Sequence, residues 1–242
     1  MIPEQTMIVR ETATSLLLIT QPDHALLAWR LMEPAAAIAA SARRDSILQA
    51  IREHDNGWRE VDASPAVDPA TGRLVDFVSA PAHVRQGVWP RGVARLSADP
   101  WAAALVAHHA LTVYDRYLGD RGWAPFFAAM TAARDRHIGS SGHTLDELRA
   151  DYVFVRIGDL ASLVFCNAWT DEQGFGGQAV QLEGSRLVIR PDPYDGRTVQ
   201  FSVTARELAR RSYVSEDDAR AAFASAPVVT LSGVAEGGRA GS

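Results

Sequence analysis

The sequence predicts a mainly α-helical body with a small β-sheet, α+β overall. Three observations predict it. Apolar residues recur at helical spacing through most of residues 22–169. Short β-branched or leucine-rich runs lie near the two ends, as in Leu16-Leu17-Leu18-Ile19 and Leu187-Val188-Ile189. Gly174-Phe175-Gly176-Gly177 separates the two patterns. The expected organisation is an N-terminal hairpin plus helical body over residues 1–177. A small β-rich part over 178–242 is expected to pack on the same domain.

The elements follow in order. Residues 1–6 read as a loose tail. Met7–Arg10 and Ser15–Thr20 read as a hairpin that can join the C-terminal strands. A helix is expected from Pro22, because proline is tolerated in a first turn, and Pro34 ends it. Ser41 or Asp45 can cap the next helix, which carries Ile47, Leu48, Ile51 and His54. Asn56-Gly57 is a stop or turn signal. Residues 59–80, rich in proline and acidic groups, read as a long ordered loop. Helices are expected over 81–96, over 100–118 behind an Asp99 cap, and over 124–137. Gly139-Ser140-Ser141-Gly142 reads as a break. A long helix should open at Thr144-Leu145-Asp146-Glu147 and reach Trp169, with Gly158 a soft spot. Residues 185–190, 198–203 and 228–231 read as strands and 215–225 as a helix. The glycine-rich end from Gly233 is expected to be disordered.

Composition narrows the chemistry. All 24 basic residues are arginine, so a Schiff-base lysine and a GxxxxGK[ST] phosphate loop are excluded. The single cysteine, Cys166, excludes an internal disulfide, a thiolate zinc cluster and a CxxC pair. A net charge of -5 argues against a nucleic-acid binder. The Leu16–Ile19 run is far short of a membrane span, and the N-terminus lacks a basic leader region, so a cytoplasmic location is expected. Gly139-Ser140-Ser141-Gly142 is not GxSxG, and Gly174–Gly177 lacks dinucleotide-loop spacing.

What remains is His, Asp, Glu and Arg. The apolar stripe Ile47, Ile51 runs directly into His54-Asp55, a good ligand pair for a divalent ion, or a helix C-cap followed by a turn. His24 shares a helix face with Leu27, Ala28 and Leu31. His109 lies among Leu105, Val106, Thr112 and Val113; His108 is the alternative. Asp159 sits in the stripe of Tyr152, Val155, Leu163 and Cys166, with Ser162 beside it. A carboxylate there needs a partner, either a metal or Arg156 one turn earlier. His83 is a weaker candidate, and His137 and His143 are expected at the surface. Together these residues give the order His, His-Asp, His, Asp on successive helices, a way in which bundles build metal sites.

The order His24 … His54-Asp55 … Asp159 resembles the HD superfamily of helical metal-dependent phosphohydrolases. A wider string is similar to a bacterial family of unknown function, from about Met7 to Leu231. It comprises Met7-Ile-Val-Arg-Glu11, Gln21-Pro-Asp-His24, Glu53-His-Asp-Asn-Gly-Trp58, Thr71-Gly72 and Asp159-Leu-Ala-Ser-Leu163 to Cys166. The HD resemblance implies an HD-like helical bundle with His24, His54, Asp55 and Asp159 as metal ligands. His109 resembles the extra histidine of two-metal members. The long interval between Asp55 and Asp159 departs from the HD pattern. Its acidic loop carries Asp62, Asp76 and Phe77, with Trp58 at its start, near the expected metal, as a pocket wall, a lid or a strap.

The function expected is a metal-dependent hydrolase of a phosphorylated small molecule. One or two divalent ions (Mn, Fe, Mg or Zn) are expected, with an anionic substrate and no nucleic-acid or membrane partner. Asp55 would bridge two ions or orient the nucleophilic water, and Arg59, Arg156 or Arg52 would hold the anion. The alternatives are an HD-type di-iron oxygenase and a non-enzymatic binding or sensing module.

Overall fold

A seven-stranded sheet stands where a small one was expected, beside helices that make up about half of the chain. A computed structural model describes residues 7–238. The tail expected at residues 1–6, and residues 239–242, lie outside them. The strands are β1 Ile8–Glu11, β2 Ser15–Ile19, β3 Gln173–Phe175, β4 Gln178–Glu183, β5 Arg186–Arg190, β6 Thr198–Ala209 and β7 Val228–Gly237. They form one seven-stranded sheet in the order β1-β2-β6-β7-β5-β4-β3, curled into a half-barrel. All neighbours are antiparallel except β5 and β7. The helices are α1 Gln21–Met32, α2 Ala36–Ala39, α3 Arg44–Glu53, α4 Ala82–Arg95, α5 Pro100–Val113, α6 Ala124–Ser141, α7 Leu145–Asn167 and α8 Glu216–Ser225.

The mainly α description and the helical bundle are therefore corrected to a substantial α/β fold. The physical reason lies in β2. Leu17 and Ile19 point into the main core, and Leu16 and Leu18 into a second cluster with Met7, Val67, Leu208, Tyr213 and Ala219. A strand covered on both faces reads as a continuous apolar run, and a sheet with such a strand is no small appendage. Its neighbour β6 is twelve residues long, pairing with β2 on one edge and β7 on the other.

Three smaller expectations are also corrected. Gly174–Gly177 is not a divider: it belongs to the β3–β4 hairpin, whose turn residues Gly176 and Gly177 both have positive φ. Residues 233–237 are not disordered but complete β7. The 139–142 break falls later, at Gly142 (φ 74°), because α6 continues through Ser141.

Local chemistry explains the helix starts that matter. Thr20 caps α1, accepting from Asp23 N–H at 3.1 Å, and Asp99 caps α5, accepting from Ala102 N–H at 3.0 Å. Thr144 and Glu147 form a reciprocal capping box on α7. In the core, α1 and α5 each pack against both α3 and α7. The sheet's β6 closes on α1, and β1, β3, β4 and β5 close on α7. Gly158 is the point where α7 meets α1 and α3: a Cβ there would stand 2.8 Å from Met32 Cγ and 3.4 Å from Ile51 Cγ2. Among the described residues, no helix is long and apolar enough to cross a membrane.

Candidate metal centre

The four helices α1, α3, α5 and α7 carry their polar residues to one buried point. His24 comes from the second turn of α1. His54 is the C-cap of α3, and Asp55 follows it where the backbone leaves the helix, so adjacent side chains turn to the same place. His109 comes from α5 and Asp159 from α7. All five are buried.

The donor atoms converge. His24 Nε2 lies 3.0 Å from Asp55 Oδ2, 3.1 Å from His54 Nε2 and 3.7 Å from Asp159 Oδ1. His54 Nε2 lies 3.4 Å from Asp55 Oδ2 and 3.6 Å from Asp159 Oδ1. Atoms bound to one ion at about 2.1 Å stand roughly 3.0–3.5 Å apart, so His24, His54 and Asp55 have the spacing of a single coordination shell, with Asp159 Oδ1 just beyond it. His109 Nε2 faces the other oxygen of Asp159, Oδ2, at 3.7 Å, and Arg156 donates to that same oxygen at 2.8 Å. Two triads meet the distance requirement for a metal: His24, His54, Asp55 and His54, His109, Asp159.

Outer partners fix which nitrogen of each ring is free. His54 Nδ1 lies 2.7 Å from the Ile51 carbonyl, which only accepts, so Nδ1 carries the proton. Ser162 Oγ donates its one proton to the Asp159 carbonyl at 2.8 Å, so at 2.6 Å it accepts from His24 Nδ1. Both neutral rings thus present lone pairs at Nε2, facing each other. A cation between them reconciles the two lone pairs, and so does a proton on one ring. Tyr152 takes up the Nδ1 side of His109 at 3.0 Å, leaving Nε2 to Asp159. Such outer partners orient metal-binding histidines.

The electrostatics ask for positive charge here. Burial works against protonation of His54, but Asp55 and Asp159 raise its pKa to about 9. Burial would also raise Asp159; hydrogen bonding to His54 and the charges of His109, His54 and Arg156 hold it well below the usual carboxylate range. Burial lowers His109 to about 3, keeping it a neutral donor. Three imidazole nitrogens and two carboxylates suit divalent ions of intermediate hardness. The donor chemistry and the facing lone pairs both fit a metal.

The centre opens onto a cavity of about 670 Å³. Trp58, Phe77, Trp89 and Trp169 form apolar wall, with Arg85, Arg116 and Arg156 among the lining residues. Arg156 stacks over Phe175 of β3, so the sheet also shapes this entrance. Of the loop residues, Phe77 reaches the cavity; Asp62 accepts from Gln21 N–H at 2.5 Å, behind the start of α1. Asp76 is a strap, accepting from Val9 N–H at 3.1 Å.

The other sequence candidates lie elsewhere. Arg59 is half exposed, pairs with Glu53 at 2.7 Å and does not line this cavity. Arg52 stacks on Trp29 at the surface. His108 packs against Tyr152 and belongs to neither of the two triads. Cys166 is buried, and burial pushes its thiol up, as for a core residue. Sequence reading passed over Arg85, Arg116 and Trp89, and the outer roles of Ser162 and Tyr152. Ser162 sits one turn after Asp159, which is the signal that could have found it.

A buried His/Asp constellation able to hold a metal, set in an α/β half-barrel, defines the class of protein. The chain belongs to the protein family of unknown function DUF3891, whose family model matches residues 7–210. No curated protein and no solved structure matches it.

Proposed function

We propose that this chain is a metal-dependent hydrolase of a phosphorylated small molecule, with an HD-like centre. The observation that carries the reading is the convergence of His24, His54, Asp55 and Asp159 at 3.0–3.7 Å on the floor of an arginine-lined cavity. His24, His54, Asp55 and Asp159 would hold one divalent ion. Such an ion supplies an activated water and polarises a phosphoryl oxygen.

The chain's own residues do the rest. Arg156 pairs with Asp159 while presenting further N–H donors to the cavity. Arg85 and Arg116 add positive charge to the wall, attracting an anion and orienting it. The tryptophans narrow the space and exclude bulk water, which strengthens each of these charges. Anion holding falls to Arg156, Arg85 and Arg116 in this reading, since Arg59 faces outward.

The test is elemental analysis of the purified protein followed by phosphate release from a panel of phosphomonoesters. Stoichiometric Mn, Zn, Mg or Fe with chelator-sensitive phosphate release is expected. Metal-free protein that ignores added ions in activity and in melting overturns the reading and favours a binding module. A second reading, the di-iron oxygenase, draws on His109 beside Asp159 Oδ2 as a second donor pair. Two irons per chain with oxygen uptake and no phosphate release would favour it.

A further inference from the structure

The segment Thr20-Gln21-Pro22-Asp23-His24 leaves one side chain without a task. Thr20 and Asp23 cap each other: Thr20 Oγ accepts from Asp23 N–H and donates to Asp23 Oδ2 at 2.6 Å. Pro22 presets the first turn. His24 reaches the metal centre. The backbone of Gln21 is fixed from outside the helix by Asp62, which accepts its N–H. The Gln21 carboxamide is different. It is 1% exposed, and neither its Nε2 nor its Oε1 has a hydrogen-bond partner among the described residues. It lines the cavity on the same side as His24.

A buried amide with both ends unpaired carries a desolvation cost that a ligand can offset. Its backbone is also held still, so little entropy is lost when it engages one. A carboxamide presents a donor and an acceptor side by side. The complement is an edge that offers an acceptor and a donor in the same plane, the cis-amide edge of a primary amide, a lactam or a lactam-type nucleobase.

We propose that Gln21 is a specificity residue that reads a cis-amide edge on the molecule bound beside the metal centre. The proposal rests on the cavity being a substrate site, as argued above. It adds to the phosphoryl group a second recognition element of different chemistry. A site built around such a pair rejects analogues that leave it unpaired.

The test uses the full chain as purified, with 2-pyridone as the probe and N-methyl-2-pyridone as its donor-blocked control. The Gln21 side-chain amide resonance in two-dimensional NMR reports contact directly. The expected result is a shift of that resonance by 2-pyridone and binding at least about tenfold weaker for the N-methyl analogue. Gln21→Met should weaken 2-pyridone by a similar factor while binding Zn²⁺ as wild type does by calorimetry. Gln21→Glu presents acceptors only, and should prefer acetamidine, which presents donors only. That exchange of preference is not produced by a purely structural role. Absence of 2-pyridone binding, equal binding of the two pyridones, or wild-type binding by a folded Gln21→Met protein overturns the proposal. The metal reading fails separately, when wild type takes up no divalent ion even though 2-pyridone binds through Gln21.

Discussion

His24 and His54 face each other through their Nε2 atoms at 3.1 Å, while each ring's Nδ1–H is already engaged by a neighbour. Two neutral imidazoles in this arrangement repel; a proton on His54 relieves this, and a shared cation would replace it with two ligand bonds. Replacing His54 by alanine removes one bond and takes from Asp55 and Asp159 a ring that stands 3.4 and 3.6 Å from them. The expected outcome is loss of divalent-metal affinity by more than about 100-fold, beyond the cost of losing an outer partner. Calorimetric titration of wild type and H54A checks it; equal affinities would show that the rings do not share an ion.

Ser162 tests the same site from one step further out. Its hydroxyl holds His24 Nδ1 at 2.6 Å and touches no other ligand ring. Ser162→Ala should weaken metal binding by about 10–100-fold. Stability should fall by about 1–3 kcal/mol, since a buried N–H loses its acceptor. Both are read from chelator competition and denaturant melting of one preparation. Unchanged metal affinity would mean that the His24 ring needs no orientation.

Asp62 gives a pH-dependent prediction. Burial raises its pKa well above the usual carboxylate value, and Asp55 and Asp23 push the same way against the Gln21 N–H. A carboxyl group with a raised folded-state pKa favours the fold below its unfolded pKa. That advantage is lost as pH rises through the folded value. Asp62→Asn keeps the shape and an acceptor for Gln21 N–H but cannot ionise. The variant should melt above wild type at pH 7, and the gap should narrow as pH falls towards 4. A gap that widens on acidification would contradict the assignment.

Gly158 joins packing to the site. Alanine would add about 1 kcal/mol of helix propensity to α7. Its Cβ would also stand 2.8 Å from Met32 Cγ in a closed core. Overpacking of this kind costs about 1–3 kcal/mol, so the clash should win. Gly158→Ala should melt a few degrees lower and bind metal more weakly, because the shift separates His24 from Asp159. A variant that is more stable with unchanged metal affinity would show that α1 and α7 have room to spare.

The centre was legible in the sequence because its residues interrupt apolar stripes. His24, His109 and Asp159 stand where a helix must bury its face, and His54-Asp55 stands where one runs out. The capping signals at Thr144 and Asp99 are local, and local patterns survive folding. The sheet was less legible because its evidence is not local. Residues 204–209 of β6, Thr-Ala-Arg-Glu-Leu-Ala, carry helix formers, and only pairing with β2 and β7 makes them a strand. Gly233 hid the second half of β7: its missing side chain is required by Phe201, whose ring would lie 2.6 Å from an added Cβ. Gln21 gave no signal of its own. A glutamine at the start of a helix looks like solvent-facing polarity until Asp62 is seen to anchor its backbone and the cavity is seen to enclose its side chain.

Asp159 is the last of the five donors to leave the ribosome, and Arg156 precedes it by one helical turn. A nascent chain that has emerged as far as α5 holds three imidazoles and a single carboxylate. The second carboxylate then enters the core with its guanidinium already attached at 2.8 Å. Negative charge therefore accumulates at the centre only as the counter-charge arrives, and only once α7 has docked on α1. Synthesis order thus completes the donor set only with α7, before strands β3 to β7 of the sheet have been made.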